Sequence, residues 1–182
     1  TVVAGIADRL ESKGTEVVTV REPGGTPFGE EIRSVLLFGG DMTAWAEAQL
    51  FAAQRAQLAE EVIRPALARG AWVLGDRSVY SSLAYQGYAR GLGVAEVRAV
   101  NEAGLGGTWP ERVVLLRIDP ITGLRRQSVI DRIGAEGALF QGKVAEGFDQ
   151  LADADPDRFV VVDIDGIGPE EVVAHALAGL GQ

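Results

Sequence analysis

Apolar positions along the chain follow two alternating patterns, which predict helices separated by short strands. Val3, Ile6, Ala7 and Leu10 recur at helical spacing, and Gly14 supplies a left-handed stop after them. The predicted helices cover residues 2–13, 28–37, 44–69, 81–87, 95–105, 120–126, 139–154 and 169–180. Short apolar runs predict strands over residues 16–20, 71–74, 113–118 and 159–162.

This alternation predicts an α/β fold in which helices cover both faces of a parallel sheet. Pro65 predicts a kink or a restart near the end of the long helix at 44–69. A length of 182 residues, of which 47% are hydrophobic, suits a single domain spanning 1–182. In open parallel sheets, ligands bind beyond the carboxyl ends of the strands, so the candidate site residues are those that follow a predicted strand.

Composition removes several classes of chemistry from consideration. The chain has no cysteine and one histidine, His175, which excludes disulfide frameworks and thiol nucleophiles and disfavours a catalytic triad. The 17 Lys and Arg residues against 26 Asp and Glu residues give a net charge of -9, which disfavours broad binding of a nucleic-acid backbone. Without a secretion signal or an apolar run of roughly 20 residues, we expect a cytoplasmic protein with neither nucleic acid nor membrane as a partner.

Charged residues and turn formers follow the first two predicted strands. In Arg21-Glu22-Pro23-Gly24-Gly25, the glycines would let the backbone approach a flat or phosphorylated ligand, although an ordinary strand-to-helix turn has the same composition. Asp76-Arg77 follows the second strand. There an aspartate can hold the hydration shell of Mg²⁺ and an arginine can clamp a phosphate, and a salt bridge at the rim is the alternative.

Two pairs of side chains stand four residues apart on predicted helices. Phe51 and Arg55 could meet one planar ligand by stacking and hydrogen bonding, although a core Phe beside a surface Arg has the same spacing. Ser82 and Gln86 place a hydroxyl and an amide on one helix face, where they could read the edge of a base.

Arginines also mark a segment with few apolar anchors. Arg125, Arg126 and Arg132 predict a cationic lid that could neutralise charge on a transferring phosphoryl group, with a solvated face as the alternative. The run 137–144 has the spacing of a phosphate-binding loop except at its last residue, Val144, where Ser or Thr is required. No strand precedes that run, so we expect it to be helical.

Taken together, four segments resemble the thymidylate kinase family in their order and spacing. They are Arg21-Glu22-Pro23-Gly24-Gly25-Thr26-Pro27, Phe51-Ala52-Ala53-Gln54-Arg55-Ala56-Gln57, Asp76-Arg77 and Ser81-Ser82-Leu83-Ala84-Tyr85-Gln86-Gly87. Asp131-Arg132-Ile133 and the strand at 159–162 extend the resemblance over nearly the whole chain. The resemblance implies a P-loop NTPase-like sheet and transfer of the γ-phosphoryl group of ATP to dTMP, giving dTDP and ADP, with Mg²⁺ and in a homodimer.

The resemblance also implies a role for each matching residue at the nucleotide acceptor. Those expected to bind the base and sugar of dTMP are Pro23, which shapes the thymine pocket, Phe51, which stacks, Arg55, which donates to a base carbonyl, Ser82 and Gln86, which read the base edge, and Tyr85, which crowds the 2′ position. Those expected around the phosphates are Arg33 and Arg77 on the acceptor phosphate, Asp76 near the metal, and Arg125 and Arg126 on ATP in a lid around 124–136. Arg77 and Arg126 carry the expected catalytic roles.

The sequence also departs from the family pattern. The family's first strand and its Gly-x-x-x-x-Gly-Lys-[Ser/Thr] loop would precede Thr1, and we expect the protein to contain them there. The lid between Leu124 and Asp131 is a few residues short, and Ser78 and Tyr80 differ from the residues usual at the mouth of the acceptor pocket. The alternatives are therefore a kinase for another nucleoside monophosphate or a deoxynucleoside, and a catalytically inactive relative that binds nucleotides.

Overall fold

In the computed structural model, which describes residues 2–126 and 131–182, helices and strands alternate as predicted. The described α-helices are α1 (Val2–Glu11), α2 (Pro27–Phe38), α3 (Ala44–Leu58), α4 (Arg64–Ala68), α5 (Val79–Ser82), α6 (Val94–Leu105), α7 (Pro120–Arg125), α8 (Gly137–Ala154) and α9 (Pro169–Gly179). The strands are β1 (Val17–Arg21), β2 (Trp72–Asp76), β3 (Val113–Arg117) and β4 (Phe159–Asp163). The run 137–144 lies in α8, which confirms that it is helical.

Local signals account for where the elements near the first turn begin and end. Gly14 has a φ of +84° after α1, which confirms the predicted left-handed stop. The Thr26 hydroxyl accepts a hydrogen bond from Gly29 N at 2.9 Å, and Pro27 occupies the first turn of α2. As a result, α2 starts directly after the turn that follows β1.

The predicted irregularity of the long helix takes the form of a π-helical turn. Residues Ala59–Ile63 are π-helical and lead into α4, whose first turn contains Pro65. Proline has no N–H to give to the preceding turn, so the hydrogen-bond ladder changes there. A second π-helical segment, Leu83–Ala89, follows α5 and carries Tyr85 and Gln86.

The strands form two parallel pairs, and their registers bring charged carboxyl ends together. β1 pairs with β2 so that Arg21 stands opposite Asp76, and β3 pairs with β4 so that Arg117 stands opposite Asp163. The parallel α/β class is confirmed, but within the described residues the four strands form two separate sheets rather than one. The first pair presents its carboxyl edge to the candidate site.

Helices pack on both faces of the strands. Val114 of β3 packs with Ile6 of α1 and Val173 of α9, whereas Val113 and Leu115 pack against the opposite cluster. The cluster against which Val113 and Leu115 pack is built largely from the segment that follows β2 and from α6 and α8. Alternate strand residues therefore face different helical layers, as the period of two in a strand requires. Among the described helices, none combines the length and the apolar character that crossing a membrane would need.

Candidate active site

A cavity of about 170 Å³ lies at the carboxyl ends of β1 and β2. Its walls include most of the predicted dTMP-binding and metal-binding residues, namely Pro23, Arg33, Phe51, Asp76, Arg77, Ser82, Tyr85 and Gln86. The fold thus brings together side chains from the turn after β1, from α2 and α3, and from the segment after β2. Arg55 is not among the lining residues, and neither are Arg125 and Arg126 in the part of the chain that the structure describes.

The turn after β1 needs both of its glycines. Gly24 has a φ of +129°, and a Cβ atom there would lie 2.4 Å from Glu30 Oε1. Gly25 has a φ of +85°, and its N–H donates to the same carboxylate oxygen at 2.9 Å. Arg21 Nη2 also donates to Glu30, at 2.9 and 2.7 Å. The glutamate therefore closes the turn by approaching the backbone more closely than a side chain at Gly24 would allow.

Two side chains, one on α2 and one on α3, hold the same turn in place. Arg33 Nη1 donates to the carbonyl of Pro23 at 2.8 Å, and the Glu22–Pro23 peptide bond is cis. Gln54, which is 0% exposed, accepts from Gly24 N at 3.0 Å through its side-chain oxygen. Its amide nitrogen donates to Glu22 Oε2 at 3.3 Å. The position of Pro23 in the cavity wall is therefore set by groups on α2 and α3.

Arg55 lies behind the cavity wall, where it is 2% exposed. Its Nε donates to Glu22 Oε2 at 2.6 Å, its Nη2 donates to Ser82 Oγ at 3.0 Å, and its Nη1 donates to Asn101 Oδ1. Because Ser82 Oγ accepts from a guanidinium, its own hydroxyl hydrogen is left to donate elsewhere. Arg55 thus orients one of the lining residues, and its direct bond to a base carbonyl remains a prediction.

Arg77 has an unusual backbone conformation directly after β2. Its φ of +68° lies in the left-handed region, and no other non-glycine residue of the described chain has a positive φ. Such conformations cost energy and concentrate at functional sites. The guanidinium lies 5.3 Å from the centre of the Tyr85 ring, which places it over that ring. Desolvation works to lower the pKa of Arg77, but Tyr85, Asp76 and Asp131 raise it by more, so the group remains a cation.

Asp76 ends β2 with its side chain exposed to the cavity. No salt bridge joins it to another side chain within the described residues, which disfavours the alternative of a rim salt bridge with Arg77. Asp76 is therefore free to meet a cation, and Arg33 and Arg77 in the same cavity wall can meet an anion.

Glu47 lies behind Gln86 and is 1% exposed. Its Oε1 accepts from Gln86 Nε2 at 2.8 Å and from Arg90 Nε at 3.1 Å. Its Oε2 accepts from Arg90 Nη2 at 3.0 Å and from Arg132 Nη2 at 2.7 Å. Burial by itself raises the pKa of Glu47, but hydrogen bonds from Arg90, Gln86 and Arg132 lower it by more, so the pKa lies below its ordinary value of 4.5.

The predicted lid is only partly described. Arg125 and Arg126 are exposed at the end of α7, and residues 127–130 lie outside the described part of the chain. Arg132 is predicted from the sequence to belong to a cationic lid, but its guanidinium is hydrogen-bonded to other groups of the protein. Besides its bond to Glu47, it donates through Nε to the carbonyl of Leu36 at 2.9 Å.

A family model described as "Thymidylate kinase" matches residues 1–175 of the chain. The chain belongs to the thymidylate kinase family. It is 43% identical over 170 residues to a thymidylate kinase of Synechococcus sp. (strain JA-3-3Ab), covering 93% of this chain and 83% of the relative. It is 41% identical over 167 residues to the Staphylococcus haemolyticus thymidylate kinase, covering 90% and 82%. With the Halalkalibacterium halodurans thymidylate kinase the identity is 40% over 184 residues, covering 97% and 87%.

Several buried polar residues of this thymidylate kinase family member were assigned no supporting role from the sequence. Glu22, Gln54 and Asn101 support the cavity wall through Arg55 and the turn, while Glu47 supports Gln86. A signal for three of them exists in the sequence, because each is a polar residue at a buried position of an otherwise apolar or alanine-rich helix. Helical periodicity alone does not say which partner satisfies such a residue.

Proposed function

We propose that this chain is a thymidylate kinase that transfers the γ-phosphoryl group of ATP to the 5′-phosphate of dTMP, giving dTDP and ADP. The observation that carries the proposal is that one cavity contains both a set of residues suited to a flat base and a pair of arginines suited to a phosphate. The relatives named thymidylate kinase, at about the same identity over most of the chain, support this choice of substrate.

The base and sugar of dTMP occupy the side of the cavity formed by α3 and the segment after β2. Phe51 offers an aromatic face for stacking, and Ser82 and Gln86 offer a hydroxyl and an amide at the base edge. Tyr85 also lines the cavity beside Arg77, where its ring can crowd a 2′-hydroxyl. Pro23 completes the pocket, and Arg55 acts on the base together with Ser82.

The acceptor phosphate lies between Arg33 and Arg77. Arg77 is a catalytic residue in this proposal, because it aligns the 5′-phosphate oxygen with the incoming phosphoryl group and offsets the negative charge that both phosphates bring. Its backbone has a φ of +68°, and its side chain lines the cavity. Arg125 and Arg126 approach ATP from the lid around 124–136, and Arg126 stabilises the transferring group.

Mg²⁺ fits the donor set at this edge through Asp76. Mg²⁺ binds through one or two carboxylates and completes its shell with waters and substrate phosphates. The described residues contain no cluster of three or more His, Cys, Asp or Glu side chains that could hold a metal by themselves, so a protein-only cage is absent there. The Asp76 carboxylate at the rim suits a Mg²⁺ ion that arrives with ATP, because the ion neutralises the charge of the ATP phosphates. We further propose a homodimer working in the cytoplasm.

A coupled assay of ADP release tests the function. The full-length protein is supplied with ATP and Mg²⁺ and with dTMP, dUMP, dCMP or AMP in turn, and we expect the highest kcat/KM with dTMP. Highest activity with dCMP or AMP would replace the proposed acceptor with another nucleoside monophosphate. No ADP release with any acceptor, from protein that still binds dTMP, would identify an inactive nucleotide-binding relative.

A further inference from the structure

The side-chain amide of Gln86 is held in one orientation by Glu47. Gln86 Nε2 donates to Glu47 Oε1 at 2.8 Å, and both residues are 1% exposed. A carboxylate with a pKa below its ordinary value is ionised at neutral pH and can only accept hydrogen bonds. The amide nitrogen must therefore face Glu47, and the amide oxygen must face the other way.

Glu47 cannot easily turn away from this contact. Each of its two oxygens accepts two hydrogen bonds, and three of the four come from the guanidinium groups of Arg90 and Arg132. Arg90 is itself paired with Glu136 at 2.6 Å, and Arg132 with the carbonyl of Leu36. The carboxylate is thus fixed by donors from several directions, and so is the amide that depends on it.

The free side of the Gln86 amide faces the cavity. Within the described residues, no protein donor bonds Gln86 Oε1. Every buried side-chain nitrogen or oxygen of those residues has a hydrogen-bond partner, so this oxygen is not a buried one. Gln86 is also one of the residues that line the cavity. Its carbonyl oxygen is consequently the atom that this residue presents to a ligand.

We propose that Glu47 determines which pyrimidine the cavity accepts, as a positioning residue that acts through Gln86. This proposal rests on the proposed function. An amide oxygen facing the ligand accepts a hydrogen bond from the N3–H of thymine or uracil. Cytosine has an unprotonated N3, so the two lone pairs would face each other. A site that offers a fixed acceptor rejects a base that lacks the donor, because a buried polar group is then left without a partner.

The variant Glu47→Gln tests the proposal, because the new amide can donate to Gln86 as well as accept from it. The Gln86 amide can then turn over and present its N–H₂ to cytosine. We expect the ratio of kcat/KM for dTMP over dCMP to fall by roughly tenfold, mainly through a higher KM for dTMP and a lower KM for dCMP. The ratio for dTMP over dUMP should stay within about twofold of wild type, since both bases carry N3–H.

Two further variants separate this role from a loosened fold. Arg90→Gln removes two of the bonds to Glu47 but keeps those from Arg132 and Gln86, so we expect lower stability, a dTMP over dCMP ratio that falls much less than in Glu47→Gln, and an unchanged dTMP over dUMP ratio. In the background of Gln86→Leu, which has no amide to orient, Glu47→Gln should leave the dTMP over dCMP ratio where it is. Should Glu47→Gln fold poorly, Glu47→Asp keeps the charge and withdraws the carboxylate from Gln86, and it should also lower this ratio.

Several results would overturn the inference. A dTMP over dCMP ratio unchanged in folded Glu47→Gln would do so, as would an equal loss in Arg90→Gln or a parallel loss of the dTMP over dUMP ratio. An effect of Glu47→Gln that persists in the Gln86→Leu background would show that Glu47 acts by another route. These outcomes are distinct from a failure of the proposed function, in which the wild-type protein itself does not prefer dTMP.

Discussion

The buried ion pair between Arg55 and Glu22 leads to a prediction about stability as well as binding. Arg55 Nε and Glu22 Oε2 lie 2.6 Å apart, and the side chains of Arg55 and Glu22 are 2% and 7% exposed. Replacing Arg55 by Ala leaves Glu22 with a buried charge that has lost its cation. Removing one partner of such a pair costs about 3–5 kcal/mol, because the remaining charge is no longer compensated.

The other contacts of Arg55 determine how large the loss of stability is within that range of free energies. Ser82 and Asn101 each lose a hydrogen bond worth about 1 kcal/mol, while Gln54 still donates to Glu22 and offsets part of the charge. We therefore expect Arg55→Ala to lower the free energy of unfolding by about 4 kcal/mol. That is a large part of the roughly 5–15 kcal/mol that holds a typical domain folded. We also expect a higher KM for dTMP, since Ser82 loses its orienting donor.

Urea unfolding followed by circular dichroism measures this change, and a surface pair supplies the control. Arg69 and Glu16 lie 2.7 Å apart but are 48% and 56% exposed, so Arg69→Ala should cost below about 1 kcal/mol. The double variant Arg55→Met with Glu22→Gln removes both charges and should recover part of the loss. If Arg55→Ala costs no more than Arg69→Ala, the argument from burial is refuted.

Three further predictions concern the turn, the phosphate and the response to acid. Gly24→Ala should cost about 1–3 kcal/mol in urea unfolding, because its φ of +129° and the approach of Glu30 both oppose a Cβ atom, whereas Gly142→Ala inside α8, with nothing within 4 Å, should be neutral or stabilising. Arg77→Ala should lower kcat as well as raise KM for dTMP, by roughly 10- to 100-fold in kcat/KM, and single-turnover kinetics should place the loss in the transfer step. The folded-state pKa of Glu47 lies below 4.5, so its contribution to stability is present above that pH and is lost as the pH falls through the folded-state pKa. Urea unfolding between pH 7 and 3 should therefore be less pH-dependent in Glu47→Gln than in wild type, and identical slopes would contradict the assignment.

The sequence by itself determined where helices and strands form and which strand ends carry reactive groups. The start and the end of a helix depend on residues a few positions away in the chain, such as the Thr26 cap of α2 and the left-handed stop at Gly14. Periodicity and turn residues are therefore sufficient to predict these elements. The rule that ligands bind at the carboxyl ends of parallel strands placed Pro23, Asp76 and Arg77 near one another, and they do line one cavity.

Only the tertiary structure decided which partners the buried polar groups take. Arg55 meets Glu22, Ser82 and Asn101 across separations of 33, 27 and 46 residues, and Glu47 meets Gln86 across 39. No local pattern encodes such pairings, because they depend on how whole elements pack. The π-helical turn that carries Gln86 is likewise invisible to helical periodicity. Most of the residues that line the cavity were therefore visible in the sequence, while the groups that orient them became visible only once the chain was folded.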